Sequence, residues 1–258
     1  MIKIKAPNFN LQYTLECGQF FHYTKLNNIE YLVIIKDNAI KIKQQDDILY
    51  INKLSNISEE QIREFFNLDI DYISIIDYII KKDPNLENII SKYWGLRIIN
   101  QDITECIFSF ILSSFNSIKK VQMSVNLLSS NLGHEIENGI FAFPKLDILK
   151  DANDNLLYLS KTGFRGKYIK DTAKIIFCNN IDLYKKDYDI KKTLMSFPGI
   201  GDKISDCIML YSYKLYNVFP KDIWILRFLK DNKDYHKRFK NYAGWAQIYI
   251  YSNMRYLE

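Results

Sequence analysis

The chain has 258 residues, 48% of them hydrophobic and 25% charged, with a formal net charge of +5. That balance suits one large soluble domain or two modest ones, and the small positive surplus permits a polyanionic partner without demanding it. The four cysteines, Cys17, Cys106, Cys178 and Cys207, are widely spaced with no Cys-x-x-Cys, which argues against a zinc or iron–sulfur site and for a reducing compartment.

In chain order, Met1-Ile2-Lys3-Ile4-Lys5 carries no apolar leader, and no later run nears membrane-spanning length. A cytoplasmic protein without a membrane partner is expected, nucleoid-associated if the source is prokaryotic. Residues 9–51 alternate in the manner of strands: Tyr31–Ile35, a turn at Lys36-Asp37-Asn38, Ala39–Lys43, then Ile48–Ile51. Ser58 with Gln61 forms a capping-box pattern, and Asp71 to Lys82 places Ile73, Ile76, Ile79 and Ile80 at helical spacing. After Pro84 the whole chain reads as helices and turns. Asp102-x-x-Glu105 caps an apolar helix through Leu112, and another runs from Ser117 to Leu132 and stops at Gly133 as a C′ residue. Helical periods return at Tyr168–Cys178, Asp189–Met195, Asp202–Tyr213 and about Trp245–Tyr256. The fold class expected is α+β, an N-terminal antiparallel sheet domain (1–95) packed on a mostly helical body (96–258).

Between two of these helices stands Phe197-Pro198-Gly199-Ile200-Gly201-Asp202-Lys203. A Pro-Gly-x-Gly turn between helices is a helix-hairpin-helix, here about 189–213. Gly199 and Gly201 let backbone approach a phosphate, and free N–H groups at the next helix start point toward it. Lys203, one step inside that helix, is a candidate nucleophile, although an ordinary lysine is almost wholly protonated near pH 7. The positive helix end and partial burial favour the neutral amine, whereas Asp222, nineteen residues on, opposes it. A carboxylate there helps only a reaction with a positive sugar-like transition state. Asp222 is equally suited to capping the helix that begins at Ile223. Lys203/Cys207 and Gln247/Tyr251 are each four apart, so each pair shares a helix face.

With these residues in place the chain resembles the helix-hairpin-helix DNA glycosylase superfamily with its Gly-Pro-Asp signature. Within it, the 8-oxoguanine DNA glycosylase/lyase family is most similar. Cys17-Gly18-Gln19-Phe20-Phe21, Gly95-Leu96-Arg97, the run Gln101–Ser114, Gly163–Tyr168 and Tyr242–Gln247 carry the likeness in one order. The resemblance implies excision of 8-oxoguanine from double-stranded DNA by a monomer that needs no cofactor. Lys203 would attack the sugar and form a Schiff base that permits β-elimination, assisted by Asp222. The flipped base would be read by the Gly18 carbonyl and Gln247, sandwiched by Cys207 and Tyr251, with Pro220 in the same pocket. Phe115, Asn116, Lys120, Phe164 and Arg165 would fill the gap and meet the opposite base. The carbonyls of Met195, Phe197 and Ile200 could hold a monovalent cation, though no metal is required.

Two departures matter. Family members from eukaryotes carry asparagine where Phe115 stands and tend to carry arginine at Lys120, so fewer directional donors face an orphaned cytosine and relaxed opposite-base choice is expected. Trp224 replaces a histidine common there. Lys185-Lys186, Lys191-Lys192 and Lys237-Arg238 read as solvated faces, and His22, His134 and His236 share no ligand or triad spacing. Two other readings stay open: a glycosylase/lyase for another oxidised base, and a non-catalytic DNA-binding protein anchored by the hairpin.

Overall fold

Alternating apolar residues in 30–53 form strands β3 (Glu30–Ile35), β4 (Asn38–Gln45) and β5 (Ile48–Lys53). Lys36 and Asp37 make the turn between β3 and β4, pairing Ile35 with Asn38. Two short edges, β1 (Ile2–Lys5) and β2 (Tyr23–Lys25), complete an antiparallel sheet ordered β1-β5-β4-β3-β2. One face buries Ile4, Val33, Ile40, Ile42, Leu49 and Ile51 against helices α1 (Leu11–Glu16) and α2 (Glu59–Phe65). The computed structural model of the chain describes residues 1–185, 189–230, 232 and 234–255.

α1 corrects the strand reading of residues 11–16. The Asn10 side chain accepts from Tyr13 N at 2.8 Å, and Leu11 and Leu15 are buried one helical turn apart. A cap and an i, i+4 pair outweigh weak alternation in so short a segment. The expected capping box does form at Ser58 and Gln61.

The helical body follows: α3 (Tyr72–Lys82), α4 (Glu87–Lys92), α5 (Ile103–Ser113), α6 (Ile118–Leu132), α7 (Leu146–Lys150), α8 (Asp154–Leu159), α9 (Arg165–Cys178), α10 (Ile190–Met195), α11 (Asp202–Tyr211), α12 (Ile223–Leu229) and α13 (Ala243–Arg255). α5, capped by Asp102, is buried nearly all round and forms the axis of this body. A small hairpin, β6 (Glu135–Glu137) with β7 (Ile140–Phe141), interrupts the stretch expected to be helical throughout. It also explains Gly133, whose φ of −77° is not the left-handed C′ conformation expected. A Cβ there would lie 1.9 Å from Ala142 O, so close approach of the hairpin excludes a side chain.

The sheet's core runs from Ile4 to Phe66 with Ile99, whereas Tyr72, Ile76, Ile79 and Ile90 pack into the helical core, which also takes Cys17 and Phe21. The end assigned to the last helix, Tyr256, lies outside the described residues, as does Lys186. Among the described residues no helix is long and apolar enough to cross a membrane.

Candidate active site and DNA-facing surface

α10 and α11 flank the hairpin, and Asp189 caps α10. Gly199 needs to be glycine on two counts: φ is +82°, and a Cβ would lie 2.7 Å from the Tyr168 ring. Gly201 has neither reason, since φ is −98° and a Cβ would meet nothing within 4 Å. Gly201 is exposed and starts α11 with no side-chain cap, so the first N–H groups of α11 lie bare beside an open backbone. Of the carbonyls named for a cation, that of Phe197 already accepts Ile200 N at 3.1 Å. Lys191 is not part of a solvated face: it bridges Asp202 at 2.7 Å and Asp206 at 2.8 Å, staking α10 to α11.

Lys203 projects from the first turn of α11 into the body, where its Nζ lies 5.6 Å from the centroid of Phe110 on α5. Cys207, one turn along α11, Tyr251 and the Asp222 carboxylate are the polar groups that bear on it. Burial alone disfavours the ammonium, but Cys207, Tyr251 and Asp222 favour it, and the lysine pKa stands above its ordinary value. Burial pushes the Cys207 thiol up to about 11, so it is a neutral thiol at physiological pH. The resting site thus holds a charged lysine beside an uncharged sulfur. Any nucleophilic role for Lys203 would require loss of that proton.

Asp222 does cap α12: its Oδ1 accepts from Trp224 N at 3.0 Å and Ile225 N at 2.9 Å. Both bonds use one oxygen, and the carboxylate charge still acts on Lys203, Cys207 and Tyr251. Capping and charge placement coexist in one side chain. Gln247, buried on α13, donates from Nε2 to Pro220 O at 3.1 Å, which fixes the amide orientation. Its Oε1 is buried with no partner among the described residues. A buried acceptor left open costs about 1–3 kcal/mol and is expected where a ligand completes it. Tyr251, Trp224 and Arg255 line the mouth of an open cleft of about 930 Å³, across from Asn116 and Ile118 of the α5–α6 region.

The Gly18 loop enters from the sheet side at φ +91°. The Gln19 side chain donates to Thr14 O at 2.9 Å and Arg97 O at 2.7 Å and accepts from Ile99 N at 2.9 Å. Gln101 Nε2 donates to Gln19 O at 2.6 Å. The Gly-Gln and Gly-Leu-Arg blocks, 78 residues apart, are therefore one hydrogen-bonded unit.

In the turn between α5 and α6, Phe115 is 96% exposed and holds φ +49°, a left-handed conformation unusual for an aromatic residue. Phe164, 57% exposed, packs edge-on to Tyr168 at 5.8 Å. Arg165 has a task other than the base contact expected of it. It is only 8% exposed, its Nε donates to Ser114 O at 2.7 Å, and its Nη2 donates to Ser114 O and Phe115 O. The Asn116 amide is turned inward to Leu112 O at 3.3 Å. Lys120, in the first turn of α6, is exposed. Two residues near these groups escaped the sequence reading. Phe110 looked like ordinary helix core, and Arg255 stands at the end of α13 outside every motif. His22, assigned no chemistry, bonds Glu105 at 3.0 Å in the interior.

Comparison with known proteins fits this geometry. The model of the 8-oxoguanine DNA glycosylase N-terminal domain matches residues 1–107. An N-glycosylase/DNA lyase of Arabidopsis thaliana is 25% identical over 97% of this chain and 78% of its own length. The solved structure of MBOgg1 in complex with a low-affinity DNA ligand superposes with a TM-score of 0.90 at 28% identity, covering 99% of this chain and 95% of that one. The 8-oxoguanine glycosylase/lyase of Clostridium acetobutylicum, solved with double-stranded DNA containing cytosine opposite 8-oxoguanine, gives 0.86 at 28% identity over 99% and 97% of the two chains. Along nearly its whole length the chain is thus similar to 8-oxoguanine DNA glycosylases/lyases.

Proposed function

We propose that this chain excises 8-oxoguanine from duplex DNA and then cuts the strand by β-elimination. The observation that carries this reading is the meeting of Lys203, Asp222, Cys207 and Tyr251 at one end of the hairpin helix, beside the open acceptor of Gln247. The bare start of α11 and the unencumbered Gly201 take a phosphate, which sets the duplex in register without reading sequence. The damaged nucleotide turns out of the stack, with Phe115 and Phe164 filling the space behind it.

Deprotonated Lys203 Nζ attacks the sugar C1′. The bond from C1′ to the base nitrogen breaks, its electron pair leaves with the base, and the base takes up a proton. Asp222 stabilises the positive charge that builds on the sugar. Opening of the sugar ring gives an imine to Lys203. Loss of the C2′ proton then expels the 3′ phosphate. Gln247 meets the Watson–Crick edge through Oε1, and the Gly18 carbonyl accepts the N7–H that guanine lacks. An acceptor left facing guanine N7 would cost about 1–3 kcal/mol.

Opposite-base choice is proposed to be relaxed. Phe115 has no hydrogen-bonding group, the Arg165 guanidinium and the Asn116 amide are bonded to their own backbone, and Lys120 offers a point charge.

Borohydride trapping on an 8-oxoguanine duplex, with Lys203→Gln as control, tests the chemistry. A covalent adduct that vanishes in the variant is expected; base release without any adduct sinks the lysine mechanism. Running the duplex with C, A, G and T opposite the lesion is expected to give rates within about tenfold, the scale of a single neutral hydrogen bond. A strong cytosine preference would overturn the relaxed choice alone.

A further inference from the structure

We infer that Arg255 is a positioning residue for lesion recognition, a main-chain clamp that takes the Glu16 and Cys17 carbonyls and leaves that of Gly18 open beside them. The inference rests on the proposed function and extends it to a residue outside the family motifs. α1 ends at Glu16, and the last carbonyls of a helix have no partner within it. From the last turn of α13, Arg255 Nη2 donates to Glu16 O at 3.0 Å and Nη1 to Cys17 O at 2.8 Å. The planar fork thus takes two successive carbonyls at the negative end of α1.

The consequence appears in the carbonyls taken in order. Those of Glu16 and Cys17 go to Arg255, and that of Gln19 goes to Gln101 Nε2 at 2.6 Å. Between them, no hydrogen bond from a described residue reaches Gly18 O. The clamp also sets the loop's distance from the opposite wall. A Cβ on Gly18 would lie 3.0 Å from Arg255 Nη1 and 2.3 Å from Ile118 Cδ1, so the backbone is pressed against both. Arg255 lies one turn beyond Tyr251, with its guanidinium 5.9 Å from that ring, and both line the cleft. Holding the ring and the Gly18 backbone from one helix end fixes the spacing between two faces of the base pocket. A loop free to move by an ångström would still admit a base but would no longer place one acceptor on N7–H.

The clamp should therefore matter for base release and not for cutting a strand whose base is already gone. Arg255→Ala and Arg255→Lys are compared with the wild-type chain on duplexes carrying 8-oxoguanine, guanine and a preformed abasic site. Arg255→Ala is expected to lower 8-oxoguanine release on the order of tenfold to a hundredfold. Cleavage and borohydride trapping at the abasic site should stay within about twofold, the scatter of a step that needs no base contact. Arg255→Lys keeps the charge and loses the fork, so an intermediate rate is expected. It also serves if the alanine variant is poorly folded. An active wild-type chain with unchanged release in both variants overturns the clamp alone, as does a parallel loss of release and abasic-site cleavage. A wild-type chain that releases no 8-oxoguanine overturns the functional reading and the clamp with it.

Discussion

Asp222 is placed to serve folding and, in the proposed reaction, chemistry at once. Its Oδ1 closes the first turn of α12, yet its charge reaches Lys203 across the hairpin. The two duties separate under substitution. Asp222→Asn retains an acceptor where Trp224 N and Ile225 N need one, and asparagine caps as well as aspartate. Its unfolding midpoint should stay close to that of the parent. Asp222→Ala removes the cap as well, at about 1 kcal/mol, or roughly 2–4 °C for a chain of this size. Loss of the negative charge should slow base release on the order of a hundredfold in both, the scale seen when a single electrostatic stabiliser is removed. Thermal melts and single-turnover rates check this; an Asn variant with the parent's rate would reduce Asp222 to a cap. Lys203 and Asp222 stand out in the sequence through the hairpin and their spacing, whereas Cys207, Gln247 and Tyr251 become candidates chiefly through the family resemblance. Arg255 was not legible, since a lysine or arginine at a helix end is ordinarily a solvated group and only the tertiary fold brings α1 to it.

At the level of elements, the hairpin contains two glycines with opposite reasons to exist. Gly199 is demanded from inside, by its left-handed backbone and by the ring of Tyr168. Gly201 is demanded by nothing among the described residues. Gly199→Ala should therefore destabilise the protein by about 1–3 kcal/mol through strain and overpacking. Gly201→Ala should leave stability within about 0.5 kcal/mol, as for a surface substitution, and still weaken duplex binding by holding the phosphate off the backbone. Melting curves paired with a binding titration at fixed salt distinguish the two. Equal affinity for Gly201→Ala and parent would remove the phosphate contact from this turn. Helices such as α6 and α11 could be read from sequence because their buried faces repeat every turn, and α5 because a capped apolar run is too long for a strand. α1 and the β6–β7 hairpin could not, being too short for period to outweigh a single cap or a tertiary contact.

On the scale of the whole molecule, the proposed base pocket draws its walls from both ends of the chain: Gly18 from the loop after α1, Cys207 from the hairpin helix, and Gln247, Tyr251 and Arg255 from the last helix. What keeps these walls in register is a polar joint in the interior. Gln19 spends two N–H bonds and its carbonyl on Thr14, Arg97 and Ile99, and Gln101 fastens its main chain to the body. Every member of this joint is buried, so each bond lost leaves a group that water cannot reach. Gln19→Ala orphans the Arg97 carbonyl and the Ile99 N–H and empties the space between them. A loss of about 3 kcal/mol is expected, and a midpoint lower by roughly 6–12 °C. Gln19→Glu tests whether shape or hydrogen bonding decides. It fills the same volume and can still accept from Ile99 N, but it turns carboxylate oxygen toward two carbonyls. If packing governed the joint, the glutamate variant would resemble the parent. If donors govern it, the glutamate should be no more stable than the alanine, and its remaining base release should fall further than its abasic-site cleavage, because the sheet-borne Gly18 is the wall that slips.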